Sequence, residues 1–459
     1  MVGTTDSEQT SVESGIGLAR FGLGSRADGL AALKAPVRDL ILQEIAGGRV
    51  AMPGQGQLQD SAAAFSELHN VQVRNRDAAK LGQNDRLPTP VTPRFHAEIA
   101  ARFNGVLRTE PVGFGERLVM FWMNHFAVSV DKGSTERISI GAYEREAIRP
   151  FVFGRFTDML VAVETHPTML YYLDNVSSIG PQSMTGQQQH KGLNENLARE
   201  IFELHTLGVG SGYTQADVTA FAKALTGWTA ARNPAFDDAP LGNFSFREDA
   251  HEPGPQVILG HHYGDNGFFQ AGDVLVDLAI HPATAHHIST KLVRHFVADD
   301  PPSDLVDHVA DRWVRTDGNL ASVYAALIES DAAWTPQPAK LRMPQEFLIA
   351  AVRATGVPVG VEMLKTMMRA LGQPIWQPSG PNGFSDITAA WLTPEGLDAR
   401  LQVASWLAER TPQTADPRAF AEAILGPRLS NATREAVARA DTVPQGISLV
   451  LMSPEFMRR

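Results

Sequence analysis

The sequence predicts a mainly α protein, a large multi-helix domain with one minor β-hairpin. Three observations carry this. Apolar residues recur at helical spacing through Arg94–Leu107, Gly115–Val128 and Tyr143–Val163. Strand-like alternation is confined to Asn243–Gly260. No self-similarity appears at the periods of solenoids or propellers.

Each element follows from local signals. Residues 1–17 are polar and acidic and read as a disordered leader. Ala27–Ala46 carries a helical pattern, and Asn84–Pro93, with three prolines, reads as an extended connector. Pro150 should break or kink the helical run Tyr143–Val163. Pro167–Leu173 is a short helix opened by His166, and Ser177–Gly192 is a Ser/Gly/Gln-rich loop. Asn194–Leu207 is a charged helix, followed by a Gly-rich turn and a second helix ending at Trp228. In the hairpin Phe244 and Phe246 alternate, the chain turns at Glu252–Pro255, and Val257–Leu259 returns. Helices resume at Gly272–Ile280 and Pro282–Val297 and continue to Phe456, interrupted by Pro336–Pro344 and a Trp/Pro-rich loop at Gln373–Asp386. The organisation expected is a main helical domain over 18–335, centred on the helices of 194–228, with a C-terminal helical lobe over 336–459 packed on it.

Composition narrows the chemistry. A chain of 459 residues, 43% hydrophobic, has enough apolar material for a large core. The net charge of −11 argues against a nucleic-acid partner, which requires a basic stripe. The absence of cysteine excludes disulfides, thiolate catalysis and iron–sulfur clusters. No apolar run approaches the roughly 20 residues of a membrane span. The start lacks the basic and apolar regions of a signal peptide, so the expected location is cytoplasmic.

Several motifs occur in order: ERLVMFWMNHF (Glu116–Phe126), HPTMLYYLDN (His166–Asn175), NENLAREIFELHTLG (Asn194–Gly208), GYTQADVTAFAKALTGW (Gly212–Trp228), ADDPP (Ala298–Pro302) and SPEF (Ser453–Phe456). Together they resemble the bacterial family catalogued as domain of unknown function 1800, from about Leu18 to the C-terminus. The resemblance implies a protein often exported and often encoded beside a sulfatase/phosphatase-like partner of domain of unknown function 1501. Periplasmic export with such a partner is therefore the alternative location.

Candidate chemistry centres on Asn194–Leu207. Glu195/Arg199 and Arg199/Glu203 are i,i+4 ion pairs, and Asn196/Glu200 have hydrogen-bonding spacing. Glu200 and Glu203 are a carboxylate pair suited to a divalent metal or to acid–base work. His205 lies about 200° from Glu203 around a regular helix, so it faces another neighbour. His125 sits among aromatic residues that should keep it neutral, and His166 occupies either an N-cap or a loop position reaching a site. His251 and His281 stand at element ends, with His251 a metal candidate beside Glu200 and Glu203. On this reading His125, His166, Glu200, Glu203 and His205 line a pocket and Arg199 orients a carboxylate. Trp122, Tyr213, Trp228 and His281 then contact a cofactor. A His/Trp helix followed by NE and LHTL also looks like animal-type haem peroxidases. There His125 would be distal, Arg199 a polar aid, and His281 or His286 axial. Gly208 is expected to cap the helix, and Thr214 with Asp217 to form a capping box. No phosphate-binding loop, dinucleotide fingerprint or nucleophile elbow is present. The expected function is a metal- or haem-dependent oxidoreductase or hydrolase. The alternative is a non-catalytic scaffold for a sulfatase/phosphatase-like protein, bound through Ser177–Gly192 or Gln373–Asp386.

Overall fold

A computed structural model describes residues 6–26, 28–82, 86–189, 192–231 and 239–459. The described residues form twenty-two α-helices and two small two-stranded antiparallel sheets, so the chain is mainly α as expected. None of the described helices is long and apolar enough to cross a membrane.

Two local expectations are corrected. The stretch expected as a disordered leader is helical from Asp6 to Arg20, and its end is held in the core by Ile16 and Leu18. The single hairpin is in fact two separate ones. Phe244–Phe246 pairs with Trp228–Ala230, and Gln256–Ile258 pairs with His261–Tyr263. The second closes through Leu259 and Gly260, both at positive φ, the conformation a two-residue hairpin turn requires. Trp228 therefore opens a strand, and the helix before it stops at Ala224. Pro150 breaks its run as expected: an α-helix ends at Tyr143, a π turn covers Glu144–Ile148, and helix resumes at Phe156.

The middle of the molecule is the helix Phe114–His125. Every one of its residues except Asn124 is buried, Glu116, Arg117 and His125 included. Phe114 packs on Phe21, Phe296 and Tyr324, and Trp122 on Phe126 and Phe156. The Trp122 indole donates to the Tyr324 hydroxyl at 2.7 Å. One continuous apolar core runs from Ile16 to Phe456.

Burying this helix also buries charges, and each finds a partner. Glu116 accepts two hydrogen bonds from the Arg149 guanidinium, at 2.8 and 2.9 Å. Arg149 also reaches Glu144, which Arg102 holds from the other side. The chain Arg102–Glu144–Arg149–Glu116 is thus buried and neutral in sum. Removing one member strands a buried charge, at a cost of about 3–5 kcal/mol. Glu144→Gln is therefore expected to lower unfolding stability by that order in urea titrations. A loss under 1 kcal/mol would show the network to be energetically idle.

Candidate functional site

The charged helix is shorter and less regular than its sequence suggests. Asn196–Glu200 is α-helical and Ile201–His205 is a π turn. The wider turn ends where the Thr206 hydroxyl donates to the Ile201 carbonyl at 2.6 Å and the Gly208 amide to that of Phe202 at 3.0 Å. Carbonyls at a helix end lack intrahelical donors, and two histidines supply them. His125 Nε2 donates to the His205 carbonyl at 3.2 Å, and His287 hydrogen-bonds the backbone of Leu204. Gly208, at φ +88°, is required here: a Cβ would stand 2.6 Å from His287 Nδ1.

The His205 side chain points elsewhere, to Glu164, with Nδ1 2.8 Å from Oε1. Both side chains are fully buried. His205 Nε2, Glu164 Oε2 and His287 Nε2 have no hydrogen-bond partner. With its Nε2–H given to a carbonyl, His125 presents the Nδ1 lone pair, and Lys291 Nζ donates to it at 2.8 Å. Burial, reinforced by Lys291, holds His125 well below the usual histidine range. Burial lowers His287 to about 4 and Lys291 to about 8.

His287, Lys291 and His295 are spaced four apart on the helix Pro282–Phe296 and so share one face. They oppose Arg117, Phe121 and His125, spaced four apart on the central helix. At the far end of this seam His295 Nδ1 meets Asp386 at 3.1 Å and Nε2 lies 3.3 Å from Arg117. Arg117 and Arg459 both donate to Glu346, each at 2.6 Å. Burial alone would raise the Glu346 carboxyl, but the two guanidiniums outweigh it and bring it down to about 2. Asp386 is likewise held far below the carboxylate range by His295 and Lys340 against the effect of burial.

This end of the seam forms the wall of a small pocket. Its apolar lining includes Met120, Met123, Met343, Met368, Trp376 and Phe384, and its polar wall Arg102, His295 and Glu346. The loop Gln373–Asp386 closes one side. Asn124 clamps it, donating to the Phe384 carbonyl at 2.9 Å and accepting from its amide at 2.8 Å. Gly383, at φ +73°, lies directly against Asn124. Trp376 is held at φ +53°, a conformation that is rare and costly for a bulky side chain. Its carbonyl accepts from Val130 at 2.9 Å, and Arg102 lies over its ring.

The residues expected to share one site are divided by the structure. His125 and His205 come together, with Glu200 nearby, its carboxyl raised by burial. Glu203 turns to Arg199, which also pairs with Glu195 at the surface. Tyr213 stacks on Phe202 and hydrogen-bonds Glu203. Trp122 belongs to the aromatic core, and the Trp228 indole donates to the Phe268 carbonyl. His166 is an N-cap, accepting from Thr168 and contacting Glu146. His251 is buried against the Thr226 carbonyl. Among the described residues no group of three or more His, Asp or Glu side chains is placed to hold a metal ion. Glu200, Glu203 and His251 thus do not converge on a metal centre. His281 caps the helix Pro282–Phe296 from an exposed position. It lies ten residues, about 15 Å at the α-helical rise, from the Lys291 that touches His125. His286 is also exposed. Neither brackets a haem with His125.

Glu164, Lys291, His295, Glu346 and the methionines escaped the sequence reading. The available signal was the spacing of His287, Lys291 and His295 on one helical face. The sequence profile of the family described as "Protein of unknown function (DUF1800)" matches residues 17–458. No curated protein matches the chain, and no solved structure does.

The depressed Glu346 carboxyl makes stability depend on pH. Its contribution is complete above the ordinary value of 4.5 and is lost as pH falls through about 2. The difference corresponds to about 3 kcal/mol. Urea unfolding between pH 5 and pH 2 should lose that amount in the native protein and correspondingly less in Glu346→Gln.

Proposed function

Since the chain belongs to the DUF1800 family, whose description assigns it no reaction, its own geometry must supply a function, and we propose that it binds a small, uncharged, largely apolar molecule in the methionine-lined pocket. The observation that carries this is the lining itself. Four of the chain's 13 methionines surround one cavity. Methionine is flexible and polarisable and adapts to ligands of irregular shape.

The polar wall supports an uncharged ligand. Arg102 is committed to Glu144, His295 to Asp386, and Glu346 to Arg117 and Arg459. An ionic ligand would have to break one of these pairs. The wall can instead orient a neutral hydrogen-bonding group. The alternative, a scaffold for a sulfatase- or phosphatase-like partner, would use Gln373–Asp386 as a docking loop. The clamp through Asn124 favours the loop as a pocket wall. The metal and haem readings have no comparable convergence of ligands behind them.

Titration with a neutral apolar fluorophore such as N-phenyl-1-naphthylamine tests this. Saturable binding at one site per chain is expected. Met368→Trp, which fills the cavity, should weaken it at least about tenfold, the equivalent of about 1.4 kcal/mol. Non-saturable binding, or binding indifferent to the filled cavity, would overturn the proposal.

A further inference from the structure

Lys291 lies midway along the polar face of Pro282–Phe296, between His287 and His295. Lys132, Lys223, Lys340 and Lys365 each pair with a carboxylate. Lys291 makes no such pair among the described residues. Its partner is a neutral imidazole. Nζ stands 2.8 Å from His125 Nδ1, and the ring is fixed because His125 Nε2–H is committed to the His205 carbonyl. The residue as a whole keeps partial exposure, while its ammonium end is desolvated. The charged groups that act on it are Asp386, which favours the cation, and Arg294, which opposes it. His287, His205 and His125 complete the surroundings. A desolvated lysine beside a proton acceptor and another cationic group is the arrangement that makes an amine nucleophilic.

We propose that Lys291 is a nucleophilic amine that condenses with a small aldehyde or ketone to form an imine, with His125 Nδ1 relaying the proton. The Nζ lone pair forms a bond to the carbonyl carbon, and the C=O π pair moves to oxygen. One proton leaves Nζ through His125 Nδ1 and is passed to that oxygen, giving a carbinolamine. The nitrogen lone pair then forms the C=N bond as hydroxide departs, and hydroxide takes the remaining Nζ proton to leave as water. Nothing is oxidised or reduced, and the histidine is regenerated. This site is separate from the methionine-lined pocket and does not depend on what that pocket binds.

The test uses the intact protein at pH 7 with limiting propionaldehyde and cyanoborohydride, which traps imines as secondary amines. Labelled lysines are mapped by peptide mass spectrometry. At pH 7 an amine titrating near 8 is neutral in roughly a tenth of molecules, against fewer than about one in a thousand for an ordinary lysine. Lys291 is therefore expected to be labelled at least about tenfold faster than the exposed Lys34 and Lys80. Its labelling should rise with pH through a midpoint near 8 and level off above it. His125→Gln keeps a hydrogen-bond acceptor but cannot relay the proton, and should slow Lys291 while leaving Lys80 unchanged. Labelling of Lys291 in the native protein no faster than that of Lys80 would overturn the proposal, whatever the variant does.

Discussion

The structure depends on one constraint: a helix buried on every side must find a partner for each of its polar groups from a different direction. Phe114–His125 is that helix. Glu116 is met by Arg149, Arg117 by Glu346, Asn124 by the backbone of Phe384, and His125 by Lys291 and the His205 carbonyl. Each partner belongs to a separate segment, so satisfying this helix fixes the positions of five others. Leaving any one group unpaired in the interior would cost a large part of the total stability of a protein. The apolar core supplies the driving force, and these polar contacts select one arrangement from the many that bury the same area.

The same demand accounts for the histidines. A π turn at Ile201–His205 exposes carbonyls that an α-helix would have used, and His125 and His287 fill them. The Glu164–His205 pair anchors the turn from within. π turns often mark functional positions because they open the backbone ladder locally. Here the opening sets the tautomer of His125 and thereby makes its second nitrogen an acceptor for Lys291.

The helical architecture was legible from apolar spacing, and several stops and starts were legible from single residues. Pro150, Gly208 and the Thr214–Asp217 capping box act as their chemistry requires. The strand pairing was not, because register between Trp228–Ala230 and Phe244–Phe246 depends on tertiary packing rather than on a local turn. The density of charge at Asn194–His205 suggested one grouping, and the structure draws a different one. A regular helix places Glu200 and Glu203 together, whereas the charges there divide between surface pairs and the buried turn. The pocket was hidden because its wall is assembled from Arg102, His295 and Glu346, which are remote in sequence and unremarkable one by one.

The central helix also imposes an order of events on the chain. Trp122 bonds a tyrosine 202 residues away, Arg117 a glutamate 229 away, and Asn124 a loop 260 away. Contacts of such separation pay their loop-closure entropy before they return any stability, so they form late. Until they do, this almost wholly buried helix has nothing to lie against on several sides. During synthesis it emerges long before its partners, and a chaperone that shields this segment would be protecting the future centre of the protein.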